Sequence, residues 1–167
     1  MNVILLAAIS ADGKIAQSAD QNSTDWTSKE DTQFFVKKSK EIGALIMGKT
    51  TYETIGKPLR DRTIYVLSPH PQEETPVEGI RYVGGELKDI LARVEADGFA
   101  CVLIAGGASV YSQFLSQGLV DELFLTVEPY LFGKGIPLVQ NMDAVKMTFA
   151  DSEQIGPQTV VLHYRLK

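Results

Sequence analysis

"LIAGGASVYSQFL", residues 103–115, passes from apolar, strand-like sequence into helix-like sequence through nothing but Gly106 and Gly107. A strand that turns at once into a helix is the repeating unit of an α/β fold. The free backbone N–H groups and positive dipole end of such a helix suit a phosphate. Glycine there has two readings: a tight turn that tolerates no side chain, or a backbone that a ligand must approach closely.

Outward from that unit the same rhythm covers most of the chain. "NVILLAAIS" is followed by a predicted helix from about Ser28 to Lys40, then "ALIMG", a short helix through "KTTYETIG", and "TIYVLS". "IRYVGG", a helix from about Glu86 to Ala96, "ACVLIAGG", a helix through "ASVYSQFLSQ" and the strand "DELFLTVEP" continue it. The ending differs, because "KMTFADSE" and "TVVLHYRLK" are separated only by the turn-rich "QIGPQ" and predict an antiparallel addition. The expected architecture is one α/β domain over residues 1–167, a three-layer fold with a mostly parallel central sheet and antiparallel C-terminal strands.

Composition narrows the function. The 167 residues are 44% hydrophobic and 22% charged, with a formal net charge of -5 and both signs mixed along the chain. Nucleic-acid and anionic-membrane surfaces need clustered Lys and Arg, so neither partner is expected. Cys101 is the single cysteine, expected as a small buried hydrophobe, and no disulfide can form. "VILLAAI" has no basic leader and is too short to span a bilayer, so the protein is expected in the cytoplasm. His70 and His163 lack partners at metal-ligand spacing, so no metal is expected, and His163 in its alternating strand predicts an exposed ring.

In open α/β sheets ligands gather outside the carboxyl ends of the strands, which directs attention to the segments just after them. Lys49, Thr50 and Thr51 place a cation and two hydroxyls at a second helix start, either as phosphate contacts or as a capped, solvated end. Thr27 and Glu30 have the spacing of a capping box, which predicts Thr27 as the cap of the first helix. Asp31 then shares a face with Phe34 and Phe35. A carboxylate on an apolar face must be paired, solvated through a cleft or bound to a ligand, unless it merely complements the helix dipole from the solvated side.

Taken together, "AAISADGKIA", the segment from Trp26 to Phe35, "IMGKTTYETIGKPLRDRTIYVLS", "IAGGASVYSQFL" and "LFLTVEP" resemble dihydrofolate reductase and the related reductase domain of riboflavin biosynthesis. The likeness covers nearly the whole chain. Its most specific portion is "MGKTTYETIGKPL" with a spaced Arg. The resemblance implies an NADPH-dependent reductase in which Asp31 holds the amidine-like edge of the substrate and Thr126 is its partner. It implies that Ala8 and Ile15 contact nicotinamide, that Phe35 and Ile55 sandwich the substrate ring with Ala8 beside it, and that Arg62 takes a carboxylate of the substrate's tail. The implied cofactor contacts also include Gly48, Lys49, Thr50, Thr51, Ser68, Gly106, Gly107, Ser109, Val110 and Tyr111.

Departures from the folate pattern bear on the substrate. The loop between Gly13 and Trp26 is longer, and Asp25 stands where that family commonly has proline. "VDELFLTVEPYLFGKGIPLV" looks more like the riboflavin-pathway branch, whose members are often dimers, so a homodimer is compatible with the resemblance. The zinc-deaminase signature fused to some of those reductases is missing. Two substrate classes follow: a pterin, with dihydrofolate foremost, or a phosphoribosylaminopyrimidine. A nucleotide-binding module without catalysis is the expectation of another class, recognised by cofactor binding without turnover.

Overall fold

The apolar run near the start of the chain forms β1 (Asn2–Ser10), a central strand against which the rest of the sheet is built. In the computed structural model, which describes residues 1–166, β3 (Ala44–Gly48), β4 (Thr63–Leu67) and β5 (Ile80–Val83) extend to one side, with β6 (Cys101–Ile104) inserted between β3 and β1. On the other side lie β7 (Glu122–Glu128), β10 (Val160–Arg165) and β9 (Thr148–Gln154), giving the order β5-β4-β3-β6-β1-β7-β10-β9. The pairings are parallel from β5 through β7, and antiparallel for β7–β10 and β10–β9. Lys167, the last residue of the predicted final strand, lies outside the described residues.

Both faces of the inner strands pack on helices, which makes three layers. Ile4, Leu6, Leu45, Met47, Ile64 and Val66 meet Phe34, Phe35 and Ile42 of α1 (Lys29–Ile42) and Tyr52 of α2 (Lys49–Ile55). The alternate positions, among them Val3, Leu5, Ala44, Ile46 and Tyr65, meet α3 (Leu87–Ala96) and α4 (Ala108–Ser116). Strands covered on both faces have no solvated side, which is why their sequences read as continuous apolar runs. The chain moves outward from β1 over α1 and α2 and returns over α3 and α4, as right-handed crossovers require.

Three expectations are corrected, and one element goes beyond the sequence pattern. The cap of α1 is Ser28, not Thr27: Ser28 Oγ accepts the Asp31 N–H at 3.1 Å. The cause is tertiary, since the Ser28 N–H and hydroxyl both donate to buried Glu128, at 2.8 and 2.7 Å. His163 is not an exposed ring; it stacks on Phe124 with centroids 4.1 Å apart and meets Glu122 Oε2 at 2.7 Å. Cys101, expected to be buried, is only partly so, because it opens β6 at the amino edge of the sheet. A second sheet, absent from the sequence pattern, pairs β2 (Lys14–Ala16) with β8 (Ile136–Pro137). No helix among the described residues is long and apolar enough to cross a membrane.

Candidate active site

The carboxyl ends of β1, β3, β4, β5 and β6 open into one cleft of about 1090 Å³, as the rule for open α/β sheets anticipates. That volume stands at the upper end of the range for small-molecule pockets, roughly 1,000 Å³, which gives room for a long ligand.

One end of the cleft is built around Asp31. The side chain sits in the first turn of α1, only 6% exposed, and lines the cleft with Ala8, Phe35 and Ile55. Burial pushes its carboxyl above the ordinary value; the Thr126 and Thr27 hydroxyls work in the opposite sense and Glu128 adds to the rise. Thr126 is fully buried on β7 and lies in register with Ala8 of β1. Neither Asp31 Oδ1 nor Thr126 Oγ1 has a hydrogen-bond partner of good geometry, and nor does the buried Trp26 Nε1, just before the cap of α1. Native proteins satisfy nearly all such atoms, so the open Asp31 oxygen on the cleft wall marks a place for a polar ligand or water.

Glu128 holds this end in place. Thr126 and Glu128 share one face of β7, because side chains alternate along a strand. The Glu128 carboxylate takes both donors of Ser28 and, on its other oxygen, the Thr159 hydroxyl at 3.1 Å. The start of α1, and with it Asp31, is thereby tied to β7.

Arg62 lines the cleft beyond Phe35, just before β4. Its Nη1 donates to Ser39 Oγ at 2.8 Å and its Nε to the Arg60 carbonyl at 3.0 Å. These bonds orient a guanidinium that has five donors in all, so the fork still has N–H groups to offer. Lys57 lines the same stretch, whereas Arg60 is exposed.

The middle of the cleft is the quoted Gly-Gly turn. Gly106 has φ +108°, a conformation that L side chains rarely adopt, and the Gly106–Gly107 peptide is cis. A Cβ on Gly107 would stand 3.2 Å from Thr51 Oγ1. The Gly48 N–H donates to the Gly106 carbonyl at 2.8 Å, which draws the starts of α2 and α4 together. The first N–H groups of α4, at Ala108, Ser109 and Val110, have no carbonyl four residues back within their helix. Tyr111, predicted among the cofactor contacts, has its phenol O–H committed to the Leu6 carbonyl at 2.9 Å, so it serves as an aromatic wall. Burial, with the Asp31 carboxylate second, raises that phenol's pKa and keeps it protonated.

At the far end the cleft is lined by Leu67, Ser68, Pro69, Gly84 and Gly85, with Lys49 beside them. Lys49 Nζ donates to Glu74 Oε1 at 2.6 Å, and Ser68 Oγ donates to the same oxygen at 2.9 Å. Glu74 follows a 3₁₀ turn at Pro71–Glu73.

Every predicted site residue except Thr126 thus lines this one cleft, and Thr126 lies directly behind Asp31. Glu74 and Glu128, which hold Lys49 and the start of α1, escaped the sequence reading. For Glu128 a signal existed, an acid two positions after Thr126 on the same strand face; for Glu74 none did.

An open α/β sheet with an acid at one end of its carboxyl-edge cleft and a glycine turn at the middle is the arrangement of an enzyme-like ligand site. Residues 2–132 match the family model described as dihydrofolate reductase, and the chain belongs to that family. Among relatives, it is 29% identical over 170 residues to the uncharacterised protein YwjB of Bacillus subtilis, covering 96% of this chain and 95% of that one. It is 30% identical over 130 residues to the dihydrofolate reductase of Mycoplasma genitalium, 75% of each chain. Among solved structures, a putative riboflavin biosynthesis protein from Shewanella sp. PV-4 superposes with a TM-score of 0.82 at 26% identity, covering 100% of this chain and 99% of that one.

Proposed function

We propose that this protein is a reductase that uses a reduced nicotinamide dinucleotide to saturate a C=N bond of a 2-amino-4-oxo heterocycle, with dihydrofolate the first substrate. The observation that carries the proposal is Asp31, a buried carboxylate at the cleft wall with one oxygen that has no well-formed hydrogen bond within the protein. The residues present fit a dinucleotide: Ala8 and Ile15 would border its nicotinamide, and Gly106, Gly107, Thr51 and the first amides of α4 would hold its pyrophosphate. When bound, the reduced nicotinamide supplies the hydride.

The work of this chain is positioning and charge. Ionised Asp31 accepts hydrogen bonds from the amino and ring N–H groups of the heterocycle, and its negative charge favours the cationic, protonated C=N form that takes up hydride. Thr126, in register with Ala8, offers its hydroxyl to the same carboxylate and keeps the charge in place. Phe35 and Ile55 flank the ring and exclude water from it. The proton for nitrogen comes from solvent, since no other acid lines this end of the cleft among the described residues.

A second reading, reduction of a phosphoribosylaminopyrimidine, draws support from the two cations Lys57 and Arg62 on the cleft wall and from the likeness to the Shewanella protein. Arg62→Lys separates the two. A guanidinium grips a carboxylate through two parallel bonds where an ammonium offers a point charge. For a pterin with a carboxylate tail, Arg62→Lys raises KM about tenfold, roughly 1.4 kcal/mol, and leaves a tail-less pterin nearly unchanged, measured by steady-state kinetics. An effect confined to the phosphorylated aminopyrimidine favours the second reading.

A further inference from the structure

The cleft assigns its far end by elimination. Asp31 marks the end where the reacting ring lies, and the Gly-Gly turn with the start of α4 marks the pyrophosphate. The remaining stretch, bounded by Ser68, Pro69, Gly84, Gly85 and Lys49, therefore receives the second nucleoside of a dinucleotide. NADH and NADPH differ only there, by one phosphate on the ribose 2′ oxygen.

A phosphate monoester carries about −1.5 to −2 charge and needs cations or free donors. The cation and hydroxyl at this spot are Lys49 and Ser68, and both already donate to Glu74 Oε1, at 2.6 and 2.9 Å. Glu74 does not itself line the cleft but stands behind Lys49 and Ser68, 15% exposed against 45% for Lys49; its carboxyl lies below the ordinary value because of Lys49 and Ser68, and the Lys49 ammonium lies above its own because of Glu74. Glu53, one turn along α2, is a second carboxylate that Lys49 feels, and His70 is the other basic side chain felt by Glu74. The surroundings of Lys49 thus hold two carboxylates for one permanent cation. A 2′-phosphate entering here meets like charge and must break two short hydrogen bonds, whereas a ribose 2′-hydroxyl can donate to the carboxylate. An acid on the 2′-hydroxyl is the general device by which dinucleotide sites select NAD over NADP.

We propose that Glu74 is a specificity residue that engages, with a carboxylate of the chain itself, the cation and hydroxyl a 2′-phosphate would need, and makes NADH, not NADPH, the preferred cofactor. The proposal rests on the reductase reading above for the orientation of the dinucleotide. It departs from the NADPH that the family resemblance implies.

Equilibrium binding tests it without turnover. NADH and NADPH are titrated separately into the intact protein, and into Glu74→Gln and Glu74→Ala, by quenching of the Trp26 fluorescence and by calorimetry, with thermal melting as the check on folding. The expected result is a Kd for NADH at least tenfold below that for NADPH in the unaltered protein. Both variants should lower the Kd for NADPH at least tenfold, with NADH unchanged or weakened. Tighter binding of NADPH by the unaltered protein, or an NADH to NADPH ratio that neither variant moves, overturns the role of Glu74 and leaves the reductase reading standing. Binding of neither dinucleotide overturns both.

Discussion

Asp31→Asn should lose about a hundredfold or more in turnover while binding reduced dinucleotide as the unaltered protein does. The amide keeps the shape of the carboxylate and removes its charge, and one preorganised electrostatic contact of this kind supplies about 3 kcal/mol of transition-state stabilisation. The substitution also turns an acceptor toward the donor edge of the substrate into a partial donor. pH dependence gives a second check. Burial raises the Asp31 carboxyl, so the folded state holds that proton more tightly than the unfolded chain does. The stability this confers is present at acid pH and declines as pH rises from the ordinary carboxylate value through the raised one. At neutral pH the ionised side chain therefore costs stability, and Asp31→Asn should melt at a higher temperature than the unaltered protein there, with the difference closing in acid. Activity has the opposite sense: it falls as pH is lowered through the raised Asp31 value, and the variant lacks that limb. Stopped-flow kinetics and thermal melts across pH measure both. Near-normal turnover in Asp31→Asn would contradict the assigned role.

Gly107→Ala should weaken dinucleotide binding about tenfold in a protein that still folds. The new methyl would meet Thr51 Oγ1 at 3.2 Å, so the hydroxyl must turn or the starts of α2 and α4 must part by a few tenths of an ångström. Either response disturbs the groups assigned to the pyrophosphate. The backbone at Gly107 is at φ -83°, open to an L residue, so folding itself should survive. Gly106 is the contrast: at φ +108° an alanine is strained whatever the space, and its cost, on the order of 1–3 kcal/mol, should fall on stability. Titration calorimetry on Gly107→Ala, set beside its melting temperature, separates a ligand cradle from a plain turn. Unchanged affinity at unchanged stability would make the glycine pair only a turn.

The parts of the fold legible in the sequence are those that local pattern controls. β1, β3, β4 and β6 are buried on both faces, so their residues form apolar runs that no helix or loop would carry. Asp31 was legible because Phe34 and Phe35 fix which way its face of α1 points. What escaped was set by partners far along the chain. The cap at Ser28 depends on Glu128, and the partial cover of His163 depends on the Phe124 ring of the neighbouring strand. The β2–β8 pair is three residues against two, too short for any periodicity to register. Glu74 sits in "PQEETP", which reads as a solvated acidic loop until the fold carries it to Lys49 and Ser68.

The most direct measurement follows the absorbance of reduced nicotinamide while the protein is offered dihydrofolate and, separately, a phosphoribosylaminopyrimidine, each with NADH and with NADPH. Oxidation of the dinucleotide that depends on dihydrofolate, and that Asp31→Asn abolishes, is the predicted result. Binding of the dinucleotide with no oxidation on either substrate would contradict it and leave a nucleotide-binding module without this chemistry.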